Sequence, residues 1–486
     1  MNTLSRRHFI KLALLATSAT GCSQVIDRHT QPAMPAALNP PDTTGRHPIA
    51  HLLNRAAFGP RPGQIAEVQA VGRIAWIEAQ LDYESINDDT VALRLRRYDT
   101  LRMKPADLLG FTGSANRRHV RDELAAMTLL RAVYSQRQLY EVMVNFWSDH
   151  FNIYHFKSDT SSLKTVDDRE VIRPHALGRF GDLLKASAHS PAMLYYLDNV
   201  ENRSGSLNEN YAREIMELHT LGVDGGYTED DIREVARCFS GWTMTRQGRF
   251  TFVPEWHSPG DKRVLGEIIR SDQPKDEGDR VLEILIAHPS TARHISTKLV
   301  RRFVADDPPQ AIVDACADAW RATNGDLRAV CRALLNHPGF DAAPPKLRRP
   351  FELVVSLMRL TNARYDGSVE VINWLDRMAH RPFSWSMPDG YPDTAADWNG
   401  NLLHRWNFGL DFFDNVIPGL QVNLDDLKDA TGQAEEHAIF ASLAQHLLGG
   451  SHALEQTHQL ADFIQHQDDF PAVLGLLAAS PVFQWR

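Results

Sequence analysis

The sequence predicts a mainly α-helical fold, one large helical globular body with a small β-hairpin near 243–253. Three observations predict it. Long stretches repeat apolar residues at every third and fourth position, the period of an amphipathic helix. Alternation of the strand type is confined to 243–253, where Phe250 and Phe252 flank Thr251 behind a Gln247-Gly248 turn. The chain is 43% hydrophobic and 23% charged, a composition that buries a core.

The chain opens with Ser5-Arg6-Arg7-His8-Phe9-Ile10-Lys11, followed by a short apolar stretch from Leu12 to Ala16. That stretch is far below the ~20 apolar residues needed to span a bilayer. Adjacent arginines with Phe and Lys behind them match the twin-arginine export signal, so Arg6 and Arg7 are the expected contacts of that export machinery. Ala19-Thr20-Gly21-Cys22 resembles a lipobox, with Ala19 where Leu is usual, and Cys22 is the expected lipidation site. The implied location is the periplasm or cell envelope, with a lipid holding the protein on the membrane. From 23 to 46 the chain carries Pro32, Pro35, Pro40 and Pro41 with little apolar periodicity, and it is expected to be a disordered tether.

Folded sequence is expected over 47–486 as a single helical domain, with a division into two lobes near 255–280 as the alternative. Helical spacing covers 49–60, 64–82, 122–153, 173–199 and 208–221. Thr228 followed by Asp231 reads as a capping box opening the next helix. After the hairpin, 254–266 is expected to be a loop carrying His257 and Asp261, and 278–303 and 309–336 return to helix. Proline punctuates helix ends, as in Ala287-His288-Pro289 and Asn336-His337-Pro338.

The formal charge of -9 excludes nucleic acid as an expected partner, because no basic stripe offsets the acidic surface. Removal of 1–21 takes away Arg6, Arg7 and Lys11 and makes the chain more acidic still. Cys238, Cys316 and Cys331 show no CxxC zinc spacing; three small buried thiols are expected, with a Cys316–Cys331 disulfide as the alternative.

Two helices carry the residues that could do chemistry. In 207–222, LNENYAREIMELHTLG, Tyr211, Ile215 and Leu218 share one side with His219, while Glu214 and Glu217 lie together on the other. His219 therefore cannot join them on one ion from this helix alone, unlike the HExxH zinc helix, whose ligands share a face. In 138–153, QLYEVMVNFWSDHFNI, His150 lies within an apolar arc and Glu141, Asn145, Ser148 and Asn152 form a polar stripe. His150 and His219 are then either core histidines bonded to backbone or a shared metal or acid–base site, with His257 or His189 as a third ligand. Glu214 and Glu217 would suit a divalent cation or form a solvated face. Over 374–406, Trp374, Trp385, Trp398 and Trp406 alternate with Pro382, Pro388 and Pro392, so Trp385, Trp398 and Trp406 are expected either to stack on sugars or to plug a seam between helical lobes. No GxSxG elbow, P-loop or GxGxxG stands in a suitable context.

The segments HLLNRAAFG (51–59), NFWSDHF (145–151) and NENYAREIMELHTLGVDGGYTEDDIREVARCFSGW (208–242) resemble the bacterial exported family catalogued as domain of unknown function 1800. Further likeness at 257–266 and 288–303 extends it over essentially the whole body. The resemblance implies a mainly helical fold, export, and work beside a sulfatase-like exported partner on envelope or extracellular polymers. Two functions fit. One is a metal-assisted hydrolase or lyase using Glu214, Glu217, His150, His219 and His257, with a divalent metal as cofactor. The other is a glycan-binding or assembly protein acting through its tryptophans. An enzyme needs convergent polar groups in a concave pocket, and a binder needs an exposed aromatic surface.

Overall fold

The computed structural model describes residues 23–40, 46–449 and 469–486. Arg6, Arg7 and Cys22 lie outside the described residues. Helices dominate, and the strands among the described residues form three two-stranded antiparallel sheets.

At the centre run Ser114–Tyr134, Gln138–His150 and Pro350–Leu360. From Leu124 to Tyr134 every residue except Arg131 is buried, and all of Pro350–Leu360 is buried, as expected for helices enclosed on every side. The break between the first two is sealed by Gln138, whose side-chain amide donates to the carbonyls of Ala132 (3.0 Å) and Ser135 (2.8 Å). One continuous apolar core runs from Leu38 to Phe483 and includes Leu194, Leu285 and Phe351.

The periodic segments fold as helices with sharper stops than their spacing suggested. Gly72 divides 64–82 into Gln64–Val71 and Arg73–Leu81. Thr228 caps Glu229–Phe239, its hydroxyl accepting from the Asp231 N–H while Asp231 returns the bond to the Thr228 N–H (2.9 Å). The expected hairpin forms, with Trp242–Met244 pairing Phe250–Phe252 in the register Thr243↔Thr251. A second hairpin, Lys262–Val264 with Glu267–Ile269, begins in what the sequence reads as the loop 254–266 and ends before the helix expected from 278. Cys238, Cys316 and Cys331 are buried free thiols.

Residues 23–40 are not a free tether. Residues 23–30 are helical, and the buried Asp27 carboxylate is held by Arg94 (3.0 Å) and Arg97. Gln31 donates to the Asn362 carbonyl (2.8 Å), Asn362 donates to the Pro32 carbonyl (2.8 Å), and the Leu38 N–H bonds the Ala430 carbonyl (2.8 Å). Proline prevents regular structure here, but an extended run whose polar groups are met by side chains of the body needs none.

Candidate functional site

The C-terminal end of Gln138–His150 builds one wall of a cleft. Asn152, just past that end, donates from its side-chain amide to the carbonyls of Trp385 (2.9 Å) and Met387 (2.6 Å), tying down the Pro/Gly-rich loop 378–394. At Gly390 the loop closes on the helix end with φ +78°, and a Cβ there would collide with the Asp149 carbonyl. The Trp385 indole N–H donates to the Asp389 carboxylate (2.8 Å), fixing it at the rim. Helix Pro289–Phe303 supplies the opposite wall through Lys298 and Arg301, which share one face with His294 at i, i+4 and i+7.

The cleft holds a cavity of about 270 Å³, lined among others by Asp149, His150, Lys298, Arg301, Asp389 and Asp393. Its base is a buried ion network. Arg349 pairs with Asp149 (2.9 Å) and Glu352 (3.3 Å), Arg302 pairs with Glu352, and both guanidiniums donate to Asn145 (3.3 and 3.0 Å). Burial would raise the Asp393 carboxyl, but Lys346, Arg349, Arg302 and Arg486 together hold it down to about 2.

Lys298 differs from these cations. It makes no hydrogen bond or ion pair among the described residues, and burial pushes its ammonium down to about 8, against the opposing pull of Asp149, Asp389 and Asp393. Three histidines stand near it. The His150 Nε2 donates to the His219 carbonyl (3.2 Å) and the His294 Nε2 to the Leu218 carbonyl (3.2 Å). Burial, reinforced by Lys298, keeps all three neutral, with His219 lowered to about 3 and His294 to about 4.

His150 and His219 are thus neighbours, with ring centroids 5.8 Å apart and planes inclined by 54°. His150 turns Nε2 onto backbone and leaves its Nδ1 without a partner among the described residues. Neither ring nitrogen of His219 has a protein partner. Among the described residues no group of three or more His, Cys, Asp or Glu is placed to hold a metal ion.

His257 is elsewhere. Its Nδ1 donates to the Ser240 carbonyl (2.8 Å) and its Nε2 meets Glu277 (3.0 Å), which Lys262 also pairs (2.6 Å), all three buried. His189 packs on Trp242 (4.7 Å) and approaches Asp279 (3.4 Å), and Asp261 pairs with Arg270 (2.8 Å). None of the three reaches the cleft.

The carboxylate pair divides. Glu217 pairs with Arg213 (3.3 Å), which also binds Glu229 (2.7 Å), an exposed network. Glu214 has no such partner among the described residues. Burial raises its carboxyl above the usual range, and the charges of Glu217 and Asp389 add to this against Arg213. Glu214 and Asp389 also both act on the Tyr196 hydroxyl, which donates to the Ser386 carbonyl (2.8 Å). Glu214 therefore lies within electrostatic reach of Asp389. The sequence places Glu214 on the face of its helix opposite His219.

The tryptophans do not form one surface. Trp398 is buried in a small cluster with Leu347 and Tyr391, its indole donating to the Pro392 carbonyl (3.1 Å), so it plugs a seam. Trp385 packs against that cluster and stays partly exposed, while Trp406 is exposed on the separate helix Leu402–Phe413.

A family model for proteins of unknown function, DUF1800, matches residues 51–485. The chain belongs to that family. No curated protein and no solved structure matches it. In this DUF1800 chain, Lys298, Arg301, Asp389 and Asp393 are cleft residues that sequence reasoning missed. The signals were present but generic: His-x3-Lys-x2-Arg on one helix face, and an acidic residue beside glycine in SMPDGYP (386–392). No helix of the described residues is long and apolar enough to cross a membrane.

Proposed function

We propose that the cleft is the active site of an exported hydrolase or lyase that cleaves an envelope or extracellular glycan by acid–base chemistry. The observation that carries this is a cleft whose Asp389 carboxylate is held by the Trp385 indole, with the part-buried Glu214 carboxyl within its electrostatic reach. Burial and neighbouring charges raise the Glu214 carboxyl toward the form that can donate a proton, and an indole N–H fixes the Asp389 carboxylate at the cleft rim. Glu214 donates a proton to the leaving oxygen. Asp389 removes one, from water in a hydrolase or from the sugar carbon in a lyase. Trp385, bonded to Asp389 and partly exposed, offers a ring face beside the reacting carboxylate. Delivery by Arg6 and Arg7 and anchoring at Cys22 would place this cleft at its polymer, where a sulfatase-like partner would share the substrate.

The test is cleavage of polysaccharide extracted from the native envelope, read as new chain ends. The wild-type protein is expected to generate them and Asp389→Asn to lose at least about 100-fold in rate, the lower range for removing an acid–base group. Cleavage unaffected by Asp389→Asn, or polymer binding with no cleavage by either protein, would instead support a glycan-binding or assembly protein.

A further inference from the structure

Helix Pro289–Phe303 turns two side chains into the cleft whose charges are not used by the fold. The Lys298 ammonium has no partner among the described residues, and Arg301 uses Nε on the Asp306 carbonyl (3.1 Å), leaving its two terminal nitrogens without one. The nearby carboxylates make no ion pair with either cation among the described residues, and three of them have other partners. Asp149 is bound by Arg349, Asp389 by the Trp385 indole and Asp393 by Lys346 (3.4 Å). A part-desolvated, unpaired ammonium is costly and is retained where a counter-ion arrives with a ligand. The cavity of about 270 Å³ lies just under the roughly 300–1,000 Å³ of drug-sized sites, room for about one sugar ring.

We infer that Lys298 and Arg301 form a subsite for an acidic group on the sugar bound in this cleft, a carboxylate or a sulfate ester. The inference rests on the cleft being a glycan site. Lys298 supplies a point charge, and the Arg301 fork supplies the two parallel N–H donors that suit an oxyanion. A ligand anion also opposes the desolvation that pushes the Lys298 ammonium down, so binding and protonation of Lys298 reinforce each other.

The experiment is isothermal titration of the full mature chain with glucuronate, glucose 6-sulfate and glucose. At least one acidic sugar is expected to bind about tenfold or more tighter than glucose, a difference of about 1.4 kcal/mol. Preference between the two identifies the group. Lys298→Met should abolish that difference and Lys298→Arg retain part of it. Lys298→Met removes an unpaired ammonium without orphaning a partner, so its thermal unfolding should match wild type and a loss of binding cannot be ascribed to misfolding. Equal affinity for glucose and both acidic sugars, no binding of either acidic sugar at millimolar concentration, or unchanged selectivity in Lys298→Met would overturn the subsite. If that happens while Asp389→Asn still blocks polymer cleavage, the acid–base function stands and only the subsite falls. If acid-selective binding is lost in Lys298→Met while cleavage ignores Asp389→Asn, the subsite stands and the acid–base function falls.

Discussion

Replacing Glu352 with Gln is expected to destabilise the protein by about 3–5 kcal/mol, the usual cost of breaking a buried ion pair by removing one partner. Glu352 is 1% exposed and is approached by three guanidiniums, those of Arg302, Arg349 (3.3 Å) and Arg486 (2.9 Å). Its second oxygen also accepts the Arg349 N–H (3.1 Å), satisfying the start of Pro350–Leu360. Gln preserves the shape and removes the charge, leaving three buried cations facing a neutral amide. Urea unfolding measures the loss, and a change below about 1 kcal/mol would mean that the arginines are neutralised otherwise. The same network predicts acid sensitivity. Asp393 falls from an ordinary value of 3.8 to about 2, so its stabilisation is fully present above the ordinary value and is lost as pH drops through the folded one.

Glu214→Gln is expected to lower turnover on the cleaved polymer by about 10²–10⁴-fold and to change the shape of the pH profile. A general acid must be protonated, and Glu214 is raised by burial, by Glu217 on its own helix and by Asp389 from the loop, against Arg213. Wild-type activity should therefore fall as pH rises through the Glu214 titration. In Glu214→Gln the residual activity should lack that limb. A rate reduced equally at every pH would assign Glu214 to positioning instead.

Much of the architecture was legible because it depends on local pattern. The 3.6-residue period marked the helices, Thr228 and Asp231 marked a cap, and Phe250 and Phe252 marked the hairpin. What escaped depends on distant partners. Residues 23–40 read as a tether because their composition is proline-rich and polar, yet Asp27 is buried against Arg94 and Arg97. Lys298 reads as an ordinary polar residue on an amphipathic helix, since a face turned to a cleft and a face turned to bulk water have the same periodicity. Trp398 and Trp406 look alike in a proline-rich stretch and differ only in what covers them. His150 and His219 were correctly placed on buried faces, but periodicity carries no information on ring orientation, and the His219 carbonyl decides it.

Electrostatic coupling of Glu214 and Asp389 is tested most directly by titrating the Glu214 carboxyl, through carbon-labelled glutamate and nuclear magnetic resonance, in the wild type and in Asp389→Asn. Glu214 is expected to titrate above the ordinary glutamate value of about 4.3 and to move downward when the Asp389 charge is removed. An ordinary value in the wild type, or one unmoved in Asp389→Asn, would show that the two carboxyls do not share a site.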